Sequence, residues 1–166
     1  MRAPSLRHLV FMLVAGGALG FSSDDILAQQ APDPDWYAAV PWRHIGPEGN
    51  RFSSAAGIPG DPATYYVGAA SGGISKTTDG GVHWKDIFDD QPVQSIGALA
   101  VSSADPNVVW AGTGEGKIRS HISVGQGVYK SIDAGETWSF MGLEQTGRIP
   151  RLLIHPSNPD VVYVCA

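Results

Sequence analysis

The sequence predicts an all-β fold, namely a β-propeller fragment with two four-stranded blades and the first half of a third. Two observations favour it: a sequence octet occurs twice, and three aromatic-rich segments recur at intervals typical of propeller blades. The composition agrees with this fold, because 21 glycines and 12 prolines in 166 residues are typical of a chain with many turns.

The octet reads S-x-D-x-G-x-T-W at residues 131–138, and its upstream copy at residues 77–84 has His83 in place of the threonine. Its aspartate can accept hydrogen bonds from turn N–H groups, and its glycine can adopt positive φ. Its hydroxyl residue can bind the incoming strand, and its tryptophan can cover the turn. We therefore predict a structural role for both copies, carried by Thr77, Asp79, Gly81, Trp84, Ser131, Asp133, Gly135, Thr137 and Trp138.

Three segments that begin with Asp-Pro or Asn-Pro repeat along the chain, at residues 61–68, 105–112 and 158–165. Each has an aromatic residue at its sixth position, and the intervals between these positions match one four-stranded blade plus loop variation. We expect residues 52–141 to form two four-stranded antiparallel sheets, with the octets in the turns between third and fourth strands. The fourth strands are expected at residues 84–88 and 138–141, and the small residues at 53–58 and 96–102 suit innermost strands around a central axis.

The number of repeats is too small for a closed propeller, which typically has about four to eight blades. Two and a half blades would leave open strand edges and an uncovered apolar face. The sequence is therefore expected to be part of a longer protein, whose remaining blades would pack against these.

The first 28 residues have the pattern of an export signal. A positively charged start precedes an apolar run at residues 9–21, which is too short for an ordinary membrane span. Residues 29–41 are interpreted as a linker, and residues 42–166 as the blades. We expect an exported protein, periplasmic, cell-surface or extracellular, without a membrane span beyond the signal segment; a retained N-terminal anchor is the alternative.

Charge and metal-ligand spacing exclude several functions. The net charge is −5 and there is no basic cluster, which argues against nucleic acid as a partner. Cys165 is the single cysteine, so the chain can form no internal disulfide. The histidines lack a metal-ligand spacing, so neither a metal site nor a cofactor is predicted.

Several segments carry a resemblance to a known family, at residues 42–47, 76–81, 91–98, 112–115 and 127–131. The octets resemble the Asp-box, or bacterial neuraminidase repeat. Residues 42–166 as a whole resemble the sortilin-like exported bacterial β-propellers, which are often labelled glycosyl hydrolases. Ser75 and Asn50 depart from the family pattern, which usually has Trp and Gly there.

An enzyme of this type would need two carboxylates across a sugar-binding cleft. The chain also resembles the xyloglucan-cleaving propellers, which have an Asp two residues before a Gly-Gly pair in the first blade. Here the pair is Gly72-Gly73, and Ala70 stands at that place. No catalytic residue is therefore assigned, and the second carboxylate of that family would lie in a later blade.

An insertion of ten residues in the second repeat, within residues 115–125, carries the candidate ligand-binding rim. Glu115, Arg119 and His121 could bind a ligand there, and an ion pair that orders the loop is the alternative. The leading hypothesis is an exported binding or scaffold module that engages a protein, peptide or glycan. The second hypothesis is the N-terminal part of a glycoside hydrolase whose catalytic carboxylates lie downstream.

Overall fold

The structure, a computed structural model, describes residues 38, 44, 46–49, 51–117 and 120–166. The predicted export signal and Arg119 lie outside the described residues, as does the predicted linker except for residue 38. The chain divides into two units, Met1–Trp42 and Arg43–Ala166, and the described strands all belong to the second. Within the described ranges, no helix is long and apolar enough to cross a membrane.

The described strands form three antiparallel sheets. Blade 1 pairs, in this order, β1 (Phe52–Gly57), β2 (Tyr65–Ala69), β3 (Ile74–Thr77) and β4 (Lys85–Asp86). Blade 2 pairs β5 (Ile96–Val101), β6 (Val109–Thr113), β7 (Val128–Ser131) and β8 (Ser139–Phe140). A two-stranded sheet, the half blade, contains β9 (Arg151–His155) and β10 (Asn158–Cys165). The predicted all-β propeller fragment is confirmed.

The fourth strands are shorter than the pattern suggests, since we expected residues 84–88 and 138–141 and each strand has two residues. Trp84 still belongs to the turn, where its indole N–H donates to the carbonyl of Gly81 at 3.1 Å. Beyond each short strand, pairing continues through backbone hydrogen bonds, such as that from Ile87 N to the carbonyl of Ile74 at 2.9 Å.

Close approach of successive blades requires glycine at two equivalent positions, Gly68 on β2 and Gly112 on β6. The innermost strands are neighbours, with β5 lying between β1 and β9. A Cβ atom on Gly68 would lie 2.5 Å from Cγ2 of Ile96, and one on Gly112 would collide with Ile149. The missing side chain of each glycine therefore leaves room for an isoleucine near the start of the next blade.

Aromatic packing joins blade 1 to blade 2. The Phe88 side chain, 1% exposed, meets Tyr129 and Trp138 edge to face at centroid distances of 5.3 and 5.1 Å. Such edge-to-face contacts add about 0.5–1.5 kcal/mol each to the area that the rings bury. A second apolar cluster joins blade 2 to the half blade through Ala98, Val108, Trp110, Val128, Ile149 and Leu152.

Candidate functional site

The octet of blade 2 folds into a tight turn around the carboxylate of Asp133. Asp133 Oδ1 accepts hydrogen bonds from Ser131 Oγ at 2.7 Å and from Thr137 N at 2.8 Å. Its Oδ2 accepts a further bond from Thr137 Oγ1 at 2.5 Å. Ala134 and Gly135 have φ of 58° and 94°, so the chain reverses through the left-handed region. We call residues 131–138 the second octet turn and residues 77–84 the first.

The first octet turn has the same geometry with a histidine at the threonine position. Asp79 Oδ1 accepts from the backbone N–H groups of Val82 and His83, both at 2.9 Å. His83 Nδ1 lies 2.6 Å from Asp79 Oδ2, where the second turn has its threonine hydroxyl. Hydrogen bonds from the His83 backbone and side chain hold the pKa of Asp79 well below its ordinary value.

The two tryptophans of the octet turns differ in what they bind. The indole N–H of Trp84 donates within its own turn, to the carbonyl of Gly81. That of Trp138 instead donates to the carbonyl of Ile87 at 2.8 Å, in the preceding blade. Lys76 Nζ of blade 1 also donates to the carbonyl of Ala134 at 2.9 Å. The second octet turn therefore joins two blades, a role that its local sequence did not reveal.

Protonation of Asp133 is expected to weaken the fold at acid pH. Hydrogen bonds from Thr137, first through its hydroxyl, lower the pKa of Asp133 to about 2 from 3.8. A carboxylate whose pKa is lowered on folding stabilises the fold at pH values above its unfolded pKa. This stabilisation is lost as the pH falls through the folded pKa. We expect the free energy of unfolding to fall between about pH 4 and pH 2, by less than about 1 kcal/mol because solvent screens this turn.

Urea denaturation across that pH range measures this effect. The matched control is Asp133→Asn, which keeps an oxygen acceptor and has no proton to gain. The difference in free energy of unfolding between the two proteins should shrink towards pH 2. An unchanged difference from pH 5 to pH 2 would contradict the assignment.

At the opposite end of the strands, where β2 turns into β3, lies a polar pocket with one aromatic wall. We call it the rim pocket. Its volume is about 200 Å³, and its lining residues are Glu48, Gly49, Arg51, Phe52, Ala69, Ser71, Gly72 and Ser75. The Phe52 side chain is 38% exposed, so a ring edge or face is accessible beside charged and hydroxyl groups.

Backbone hydrogen bonds hold the loops around the rim pocket. Gly72 N and Gly73 N both donate to the carbonyl of Gln94, at 3.0 and 2.8 Å. Glu115 N donates to the carbonyl of Ser123 at 3.0 Å, which closes the insertion loop onto itself. Backbone hydrogen bonds therefore fix the loops next to the rim pocket.

Of the three predicted rim residues, Glu115 lies beside a residue that lines this pocket but does not line the pocket itself. The Glu115 side chain is 5% exposed, and its Oε1 lies 3.8 Å from Nη1 of Arg51, which lines the rim pocket. His121 is exposed on the insertion loop, and Arg119 is not among the described residues. Sequence reasoning missed Arg51 as the partner, although its place directly before the first inner strand was a usable signal.

Ala70, the residue at which the resemblance to the xyloglucan-cleaving propellers predicts a carboxylate position, is buried. Ala70 is 1% exposed, and its backbone N donates to the carbonyl of Arg51 at 2.9 Å. A methyl group in this place can neither donate nor accept a proton. Among the described residues, no group of three or more His, Cys, Asp or Glu side chains could hold a metal ion.

Comparison with known proteins supports the fold. No protein-family model and no curated protein matches the chain. An ancestral GH74 enzyme has a similar structure, with 19% identity and a TM-score of 0.54 over 74% of this chain and 16% of that one. The GH74 enzyme of Niastella koreensis has 18% identity and a TM-score of 0.45, over 61% of this chain and 16% of that one.

The GH74 xyloglucanase from Xanthomonas campestris has 17% identity and a TM-score of 0.46, over 71% of this chain and 20% of that one. The chain therefore spans 16% to 20% of the length of these three enzymes. The fold is that of part of a β-propeller, as found in a GH74 glycoside hydrolase.

Proposed function

We propose that the chain is the N-terminal part of an exported propeller that binds a glycan at its rim pocket without cleaving it. The observation that carries this proposal is the pocket itself, which places the exposed Phe52 ring beside Arg51, Glu48 and Ser71. Sugars present an apolar C–H face and a hydroxyl edge, and this combination of an aromatic wall with polar groups suits both. A protein or peptide ligand fits this small polar pocket less well.

The absence of a carboxylate at Ala70 favours binding over cleavage. Glycoside hydrolysis requires an acid and a base or nucleophile that face each other across the bond. The buried carboxylate of this rim, Glu115, lies near the Arg51 guanidinium. In this proposal Glu115 positions Arg51 at the pocket, and Arg51 donates hydrogen bonds to sugar hydroxyl groups.

In the same proposal the octet turns are Asp-boxes of a sortilin-like propeller, and they act as structural elements. Their hydrogen bonds are satisfied within the turns, through Asp79 in the first and Asp133 in the second. They lie at the opposite end of β3 and β7 from the rim, and this separation leaves the rim free for the ligand.

A second candidate is the N-terminal part of a glycoside hydrolase. Its support is the structural similarity to an ancestral GH74 enzyme together with a buried carboxylate, Glu115, at the rim. In that case the catalytic partner of Glu115 would come from another blade of the same protein.

The test is to titrate the full chain with xyloglucan oligosaccharides by calorimetry while release of reducing ends is measured. We expect saturable binding without cleavage, and a loss of affinity of about five- to tenfold in Phe52→Ala, because one aromatic contact is removed. Phe140→Ala, an exposed aromatic on β8 outside the pocket, is the matched control and should bind as the parent does. Cleavage that Glu115→Gln abolishes would favour the second candidate, and equal affinity in all variants would contradict the rim as the site.

A further inference from the structure

We propose that the first octet turn, in addition to its structural role, carries a second binding site that takes a neutral sugar of one or two rings. The site is a hollow between the two octet turns, with a volume of about 290 Å³, and we call it the turn pocket. Small-molecule sites usually have volumes of about 300–1,000 Å³, so this one suits a small ligand. The turn pocket shares no lining residue with the rim pocket, and the proposal does not depend on that site.

Both blades contribute to the turn pocket. The lining side chains of blade 1 belong to the first octet turn or to the residues next to it, namely Lys76, Thr78, Asp79, His83, Trp84 and Lys85. The second octet turn contributes Glu136, whose Oε2 lies 2.8 Å from Lys85 Nζ. Lys76 Nζ donates to the carbonyl of Ala134, also in the second octet turn, at 2.9 Å. Contacts between blades 1 and 2 therefore set the shape of this pocket.

The lining charges of the turn pocket balance. Two lysines, Lys76 and Lys85, are accompanied by two carboxylates, Asp79 and Glu136. An ion therefore gains little net Coulomb attraction from this pocket. A sugar hydroxyl group both donates and accepts hydrogen bonds, so neighbouring ammonium donors and carboxylate acceptors suit it. This balance favours a neutral ligand rich in hydroxyl groups.

Trp84 gives the turn pocket an aromatic wall. The side chain is half-buried, and its indole N–H donates to the carbonyl of Gly81 at 3.1 Å, which holds the ring in place. An aromatic surface beside a few polar groups is typical of small-ligand sites and suits the C–H face of a sugar. In the second octet turn the equivalent Trp138 instead packs between the blades, against Phe88.

Three polar residues of the turn pocket are replaced at the equivalent positions of blade 2. Thr78, His83 and Lys85 correspond to Ile132, Thr137 and Ser139. The turn itself does not require a histidine, because Thr137 closes the second octet turn onto Asp133 as His83 closes the first onto Asp79. The His83 side chain is 86% exposed, so its Nε2 is accessible to a sugar hydroxyl group. These residues therefore fit a ligand-binding role beyond the turn.

The test follows the indole N–H resonance of Trp84 by NMR, with Trp84→Phe to assign it. The ¹⁵N-labelled full chain is titrated with three neutral disaccharides: cellobiose, maltose and chitobiose. We expect at least one of them to shift this resonance saturably, with a dissociation constant of about 1 mM, because a small ligand makes few contacts. Sodium glucuronate and sodium phosphate, as anionic probes, should leave it unmoved.

Two variants take their new residues from blade 2 and should keep the fold. His83→Thr introduces the residue that closes the second octet turn, and Lys85→Ser introduces the residue paired with Lys130. We expect each to weaken disaccharide binding about fivefold, because one hydrogen bond to the ligand is lost. Ser139→Ala, at the position in blade 2 that corresponds to Lys85, is the matched control and should bind as the parent does.

The outcomes separate this site from the rim pocket. Phe52→Ala should weaken binding at the rim and retain the shift of the Trp84 resonance, so either site can fail without the other. No saturable shift with any of the three disaccharides would overturn the proposal. Equal affinity in His83→Thr, Lys85→Ser and the parent would also overturn it. A shift with the anionic probes alone would overturn it in favour of an acidic ligand.

Discussion

Trp138→Ala is expected to lower the free energy of unfolding by about 3 kcal/mol, near the lower end of values for large aromatic truncations because the side chain is half-buried. The substitution removes the edge-to-face contact with Phe88 at 5.1 Å. It also leaves the carbonyl of Ile87 without its indole donor. Because both lost contacts lie between blades 1 and 2, we expect the blades to unfold less cooperatively as well.

Urea denaturation, followed by circular dichroism, measures this effect. Trp84→Ala is the matched comparison, because Trp84 stands at the same position of the first octet turn and its indole donates to Gly81 in the same turn. We expect a smaller loss for Trp84→Ala than for Trp138→Ala. Equal losses would show that the contacts between the blades contribute little.

Gly68→Ala is expected to destabilise the protein by about 2 kcal/mol, because it forces extra atoms into a closely packed contact between blades. The new methyl group would lie 2.5 Å from Cγ2 of Ile96 and 2.5 Å from Oγ of Ser54. Neither neighbour can move easily, since Ile96 is fully buried and Ser54 lies on the innermost strand of blade 1.

A double-mutant cycle with Ile96→Ala tests the cause of this destabilisation. Ile96→Ala removes the methyl group that the new Cβ would meet, so the double variant should lose less stability than the sum of the two single losses. Strict additivity in thermal or urea melts would contradict a steric origin at this contact.

The sequence predicted the blades well because their signals are local. Each octet combines an acceptor, a hydroxyl and a glycine within eight residues, and the structure closes both turns through Asp79 and Asp133. The fourth strands were predicted too long, because the tryptophans looked like strand residues and one of them completes a turn. The small residues of the inner strands were recognised, but the isoleucine that fills the space above Gly68 was not.

The candidate site was only partly predictable. Sequence proximity suggested that Glu115 would act with Arg119 and His121 of the same loop. Among the described residues, Glu115 also lies near Arg51, which directly precedes the first inner strand. Strand pairing within a blade does not indicate such a contact, because Arg51 precedes the first strand of blade 1 and Glu115 follows β6 of blade 2.

By itself, the sequence determined the all-β class, the order of the blades and the place of both octet turns. These features depend on hydrogen bonds and backbone conformations within a few residues of each other. Only the tertiary structure decided that Trp138 binds blade 1 and that Arg51 lies near Glu115. The physical reason is that packing between blades joins residues far apart in the chain, and its geometry follows from how β5 lies between β1 and β9.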